Sequence, residues 1–216
     1  MPKNPPARSR LDAARERMYH TLVFESAEHV FALKGFEAAT MQEIASEAGI
    51  SLKTLYATFP GKVELYAEIE RIRGIDFAET VSAAHEAVGD PLGKLAAGVA
   101  AYVDFLVQHP DFLRIHLRQG RMWGLEPDEE GARESWARGI RGMAQLLRDG
   151  QAGGLFYDGD PELMAMTGIA VMQVQLARYT DRLEQEDAGR LAEVTLLQLQ
   201  RLLCKPGVAD EGRTAA

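Results

Sequence analysis

Residues 40–62, TMQEIASEAGISLKTLYATFPGK, hold two short helical patterns separated by a Gly-Ile elbow. Thr40 and Glu43 stand at capping-box spacing, where the Thr hydroxyl accepts from a backbone N–H and the Glu carboxylate reaches back to the cap; a helix is expected from Met41. Ile44, Ala45 and Ala48 recur at helical steps and turn one narrow apolar stripe inward, leaving Gln42, Glu43, Ser46 and Glu47 wet. Gly49 stops this helix because glycine tolerates the left-handed conformation that closes such an end, and Ile50 follows as an apolar plug. Ser51 is a good N-cap for the second helix, in which Leu55 and Phe59 share one face as core anchors. A helix pinned at those two residues presents Lys53 and Tyr56 outward, with Thr54 at its flank. Pro60 and Gly61 end it. Lys62 lies where the next helix begins, and lysine beside a helix's first N–H groups suits a phosphate.

This order of residues resembles the DNA-binding motif of the tetracycline-repressor (TetR/AcrR) family of bacterial transcription regulators. The matching residues are Thr40, Ile44, Ala45, Ala48, Gly49, Ile50, Ser51, Thr54, Leu55, Tyr56, Phe59 and Lys62. Upstream, Leu22, Val23, Ala27, Val30 and Phe31 have helical periodicity, and Gly35-Phe36 followed by Ala39-Thr40 resembles the family's link from first helix to second. The resemblance is specific over residues 18–66 and architectural beyond them. It implies that Thr40, Ser51, Thr54, Tyr56 and Lys62 hold phosphates of a double-stranded operator, while Leu52, Lys53 and Thr58 approach base edges. It also implies an all-α fold, with an N-terminal three-helix helix-turn-helix domain and a larger C-terminal helical domain for ligand binding and dimerisation. The function implied is a ligand-responsive repressor that binds an inverted repeat as a homodimer.

A chain of 216 residues accommodates a small domain of about 50 residues joined to a larger one. The expected organisation is a disordered basic arm over 1–17, the helix-turn-helix over 18–66, an effector-binding and dimerisation domain over 67–204, and a disordered tail over 205–216. The arm carries Lys3, Arg8, Arg10, Arg15 and Arg17, either solvated or reaching a DNA groove. Net charge is −8, yet residues 1–62 hold eight Lys/Arg against seven Asp/Glu, so that segment is +1 and the rest is −9. An acidic body argues against bulk nonspecific nucleic-acid binding, which needs a broad basic surface, and leaves room for a focused contact. Cys204 is the single cysteine and no C-x-x-C pair exists, which suits a reducing cytoplasm. No charged-then-apolar leader opens the chain and no apolar run reaches about eighteen residues, so no membrane partner is expected.

Past Lys62 the pattern stays helical. Val63, Leu65, Tyr66, Ile69, Ile72 and Ile75 extend a helix toward Glu86. Asp90-Pro91 and His109-Pro110 each supply a cap and a first-turn proline, predicting helices over 91–108 and 110–122. An acidic loop over 124–131 precedes a helix over 132–149 closed by Gly150. A turn-rich loop follows over 151–160, and Asp160-Pro161-Glu162 opens the next helix.

The last two helical patterns, 163–180 and 188–204, carry more apolar surface than one contact covers. Either one chain builds a thick core from them, or they pair with their twins in a second copy through Met164, Val171, Val174, Leu191, Val194, Leu197 and Leu202. The family's four-helix dimer bundle favours the second arrangement. Between these patterns and the linking helix stand Tyr102, Phe105, Phe112, His116, Trp123, Trp136, Met143, Met172 and Gln173, either plain core or the walls of an effector pocket for an unknown small molecule. Neither His109, Asp111 and His116 nor His85 with Glu86 has the spacing of a metal set or catalytic constellation, so neither cofactor, metal nor enzyme activity is expected. The alternative to a DNA-reading regulator is a helical module that binds a small molecule or a protein without DNA readout.

Overall fold

A computed structural model of the chain describes residues 7–118, 120, 122, 124, 125 and 130–208; the side chains of 7–14, 130–132 and 135 lie outside that description. Among the described residues the regular structure is helical, and the only bridge is an isolated antiparallel one between Phe156 and Cys204. The chain divides into two compact units after Glu70.

The first unit contains α1 (Ala7–Lys34), α2 (Met41–Glu47), α3 (Leu52–Thr58) and the start of α4 (Lys62–Glu86). Helix α1 starts at Ala7, so Arg15 and Arg17 stand on a helix and not in an irregular arm; Lys3 lies outside the described residues. The physical reason is compositional: between Pro6 and Gly35 there is neither Pro nor Gly, and Ala, Arg, Leu and Glu are strong helix formers. Val23, Ala27 and Phe31 are buried on one face of α1, against Ile44 and Ala45 of α2 and Leu55 of α3. Each Leu, Ile or Phe side chain removed from water in this way contributes roughly 1.5–3 kcal/mol.

The elbow between α2 and α3 closes by two nested hydrogen bonds: Gly49 N–H donates to Ser46 O at 3.1 Å and Ile50 N–H to Ala45 O at 3.0 Å. That pair is a Schellman closure, and it places Gly49 at φ +63°, where a side chain is strained. The chain therefore turns sharply enough to lay α3 across α1 and α2.

The second unit contains the remainder of α4, then α5 (Pro91–Gln108), α6 (Pro110–Arg118), α7 (Glu130–Ala152), α8 (Pro161–Ala177), a 3-10 turn at Leu183–Gln185, and α9 (Ala188–Leu203). Asp90, Asp160 and Asp187 cap α5, α8 and α9, each carboxylate accepting from backbone N–H groups of the first turn. Leu95, Val103, Leu106, Leu113, Leu147, Leu176 and Leu199 meet in one core. Arg114 ties α6 to the segment after α8 by donating to Asp111 at 2.8 Å, Glu184 at 2.9 Å and the Thr180 carbonyl at 3.0 Å.

Further boundaries differ from the sequence expectation. Helix α6 ends at Arg118, four residues early, because Gly120 takes φ +66° and its N–H turns back to Leu117 O. Gly150 does not close α7; it lies inside the helix, and the Phe156 ring occupies the space a Cβ would take, 2.2 Å from its ideal position. The last segment is placed as far as Val208: Tyr157 N–H donates to Leu203 O and Lys205 N–H to Leu155 O, so the stretch beyond α9 starts as a short paired strap against residues 155–157. Residues 209–216 lie outside the described residues.

Candidate nucleic-acid interface

Helix α2 begins as its sequence requires. Thr40 Oγ1 accepts from Glu43 N–H at 3.3 Å and donates to Glu43 Oε2 at 2.9 Å, while the Thr40 N–H donates to the same carboxylate at 3.0 Å. The Lys34 ammonium holds the other carboxylate oxygen. The hydrogen bond from Lys34, then those from Thr40, lower the Glu43 pKa below its ordinary value. Thr40, expected at a phosphate, is thus exposed and already organised by the cap.

Helix α3 is capped by Ser51, whose Oγ accepts from Thr54 N–H at 3.1 Å and lies 2.8 Å from Thr54 Oγ1. Leu55, fully buried, and Phe59, just past the helix end, pin it to the unit. At about 100° per residue, the side opposite this pair belongs to Lys53, Ala57 and Thr54, with Tyr56 and Leu52 on one flank and Thr58 on the other. Burial follows that geometry. Ser51, Lys53 and Tyr56 are exposed, Tyr56 at 50%, whereas Leu52, Thr54 and Thr58 are half-buried. Thr58 Oγ1 donates back to Thr54 O at 3.1 Å. The seven residues of α3 thereby offer hydroxyls, a phenol and an ammonium on a short rigid rod narrow enough for a DNA major groove.

Lys62 departs from its expected surroundings. Its ammonium donates to the carbonyls of Phe36 at 2.7 Å, Ala39 at 3.0 Å and Glu37 at 3.2 Å, and lies 4.5 Å from the centroid of the Phe36 ring. Lysine has three N–H donors, and all three are engaged by the turn between α1 and α2. Phe36 also meets Tyr66 edge-on, ring centroids 5.0 Å apart, and Tyr66 meets Phe31 edge-on at 5.2 Å. Of the residues expected at phosphates, Lys62 thus has its charge engaged by the turn between α1 and α2. Sequence spacing placed Lys62 at the start of α4 but carried no signal for carbonyls 23 to 26 residues away.

One feature of this unit had no signature in the sequence. Between α1 and α3 runs a groove of about 340 Å³, lined by Arg15, Glu16, Tyr19 and His20 on one wall and Thr54, Ala57 and Thr58 on the other.

In the second unit, the residues expected at an effector pocket are packed core. Tyr102, Phe105, Phe112, His116, Met143, Met172 and Gln173 are buried, and Trp136 packs partly buried against them. Trp123 lies outside the described residues. Phe105 meets Phe112 edge-on at 6.2 Å, and His116 packs on Phe112 at 4.5 Å with its Nδ1 2.9 Å from the Phe112 carbonyl. His109 caps α5 and stacks on Phe105, and Asp111 pairs with Arg114, so these three residues form no joint site. No cluster of His, Cys, Asp and Glu fit for a metal ion occurs among the described residues, and no described helix is long and apolar enough to cross a membrane.

The expected pairing face divides. Val174 (58%), Val194 and Leu202 are exposed large apolar side chains, and Met164, Val171 and Leu197 are half-buried. Leu191 is corrected: at 4% exposure it belongs to the protomer's own core, because the inward face of α9 runs Leu191, Thr195, Leu199, Leu203 at four-residue steps. Thr167, Ala170, Val171, Val174, Gln175 and Gln198 line a shallow apolar groove of about 260 Å³ on the α8–α9 face.

Comparison with known proteins gives a consistent result. Residues 23–69 match the family model described as bacterial regulatory proteins, tetR family. The chain is 29% identical over 164 residues to an HTH-type transcriptional repressor of Streptomyces coelicolor, covering 72% of this chain and 80% of that protein. It is 36% identical over 81 residues to the HTH-type transcriptional activator FasR of Mycolicibacterium smegmatis, 38% of this chain and 37% of that one. Among solved structures it resembles the ketosteroid transcriptional regulator KstR2 of Mycobacterium tuberculosis with a TM-score of 0.71 at 20% identity, over 86% of this chain and 95% of that one.

Proposed function

Because the chain belongs to the tetR family of bacterial regulatory proteins, we propose that it regulates transcription by binding an inverted-repeat operator as a homodimer, relieved by a small molecule. The observation that carries this reading is α3: a helix anchored inward by Leu55 and Phe59, with Lys53, Thr54 and Tyr56 turned away from the unit that holds it. Phosphates position such a helix and base edges in the major groove specify its register.

A single seven-residue helix has too few contacts for high affinity, and pairing two copies one DNA turn apart, roughly 34 Å, supplies the rest. Val174, Val194 and Leu202 support pairing through α8 and α9, since exposed apolar side chains in one stripe mark an interaction surface. Repression is favoured by the Streptomyces relative, whose length the chain covers far more fully than that of FasR. The effector reading rests on Met143, Met172 and the aromatic set around His116, an adaptable apolar core that must part to admit a ligand. A ligand favouring the parted state shifts the dimer away from the DNA-competent arrangement by its differential affinity. The protein acts in the cytoplasm, where its DNA is, and performs no catalysis.

Selection of genomic fragments on the purified chain tests the reading. Enriched fragments are expected to share one inverted repeat. Equal recovery of all fragments, at low as well as moderate salt, would refute it.

A further inference from the structure

The aliphatic hydroxyls of α3 and its cap are tied to one another or to the helix backbone. Ser51 Oγ accepts from Thr54 N–H at 3.1 Å and lies 2.8 Å from Thr54 Oγ1, so these two side chains share one closed cap. Thr58 Oγ1 donates its proton to Thr54 O at 3.1 Å and is left as an acceptor alone. Ala57 adds only a methyl group, and Tyr56 stands on the flank. Lys53 remains. It is exposed, one turn before Ala57 on the side opposite Leu55 and Phe59, and it enters neither a hydrogen bond nor an ion pair among the described residues. The outermost line of the reading helix therefore holds a single charged donor.

An ammonium carries three donors and no acceptor, so it sorts base edges by sign. In the major groove guanine shows two adjacent acceptors, N7 and O6, whereas adenine sets an amino donor beside its N7, thymine shows one acceptor beside a methyl, and cytosine shows an amino donor. Guanine alone offers two acceptors without an opposing donor or methyl. We propose that Lys53 reads N7 and O6 of a guanine in each half-site and fixes the operator sequence at that position. The inference rests on the DNA-binding reading and deepens it by naming the base. Phosphate is the competing partner for an ammonium, and position decides against it: the side of α3 opposite its pinned residues enters a groove deepest, while the flank that carries Tyr56 is nearer the walls where phosphates run.

The experiment measures affinity of the full chain for its selected duplex by fluorescence anisotropy, with 7-deazaguanine, which lacks the N7 acceptor, placed at one guanine position of both half-sites at a time. At one such position the replacement is expected to weaken wild-type binding about tenfold. Lys53→Met keeps the length of the side chain without its charge. It is expected to bind the unmodified duplex about tenfold more weakly than wild type and to be indifferent to 7-deazaguanine at that same position, because the two changes remove one contact. Its thermal midpoint by circular dichroism is expected to match wild type, since Lys53 is exposed. A Lys53→Met variant that binds every duplex more weakly by one factor and keeps the wild-type response to 7-deazaguanine overturns the guanine contact, assigns Lys53 to a phosphate and leaves the α3 reading standing. Selected half-sites without guanine, or equal affinity of Lys53→Met and wild type, overturn the guanine contact as well. Absence of duplex binding by the wild type overturns the DNA-binding reading and the guanine contact with it.

Discussion

The Lys62 ammonium stands 4.5 Å from the centroid of the Phe36 ring and 2.7 Å from the Phe36 carbonyl oxygen, so one residue is held through both its side chain and its backbone. With Glu37 O and Ala39 O also accepting, Lys62 fastens the turn that delivers the chain from α1 into α2. Lys62→Ala is therefore expected to destabilise the first unit by about 1–3 kcal/mol, since three carbonyls lose their donor. Denaturant unfolding followed by circular dichroism measures it. Loss of operator affinity with no loss of stability would assign Lys62 to phosphate alone.

Tyr56 presents the opposite case, because half of it is exposed and the core of its helix is built by other residues. Tyr56→Ala is expected to lower operator affinity by about 1–3 kcal/mol, the range for a positioned nucleic-acid contact, with an unchanged thermal midpoint. Gel shift on the selected duplex reads the first quantity. Equal affinity of variant and wild type would remove Tyr56 from the interface.

The α8–α9 face yields a paired prediction. Val174→Arg places a charge where the protomer is open, and is expected to convert a dimer at micromolar concentration into a folded monomer. Leu191→Arg buries the same charge inside the protomer and is expected to unfold it. Sedimentation velocity with circular dichroism separates the two outcomes. Wild-type monomer at these concentrations, or a dimer that survives Val174→Arg, would contradict the pairing face.

Gly150 is required by Phe156, whose fully buried ring lies where a Cβ would project. Gly150→Ala is expected to cost about 1–3 kcal/mol, the usual range for overpacking a filled core. A denaturation midpoint equal to wild type would show that the ring has room to move.

Two histidines set a pH dependence. Burial, with Lys94 nearby, lowers the pKa of His85 below its ordinary 6.5; burial and Arg73 lower that of His109, against Asp76. Below 6.5 the unfolded chain binds protons that the folded chain refuses, so stability is full above 6.5 and declines as pH falls toward the lowered folded values. The thermal midpoint is expected to fall across that window in wild type, and to fall less in a His85→Gln, His109→Gln double variant. Identical pH profiles for the two proteins would contradict this assignment.

The helix-turn-helix was legible because its determinants are local. Thr40 and Glu43 lie three residues apart, Gly49 and Ile50 close the turn at their own positions, and Leu55 and Phe59 reveal their face by period alone. The caps Asp90 and Asp160 were readable for the same reason. What the sequence concealed was non-local. Lys62 meets carbonyls of a turn more than twenty residues upstream, Gly150 is fixed by a ring beyond the helix end, and the α1–α3 groove joins residues some forty positions apart. For α9, periodicity showed an excess of leucine without saying which were inward. Packing decided it, taking Leu191 into the core and leaving Val194 and Leu202 outside.

As proposed, α3 docks on duplex DNA twice in each assembly. Sedimentation equilibrium of the chain with its selected duplex, combined with hydroxyl-radical footprinting, tests that most directly. An even number of chains per duplex is expected, with two protected half-sites whose centres lie about one helical turn apart. A complex of one chain with one protected half-site, or no protection at low ionic strength, would contradict it.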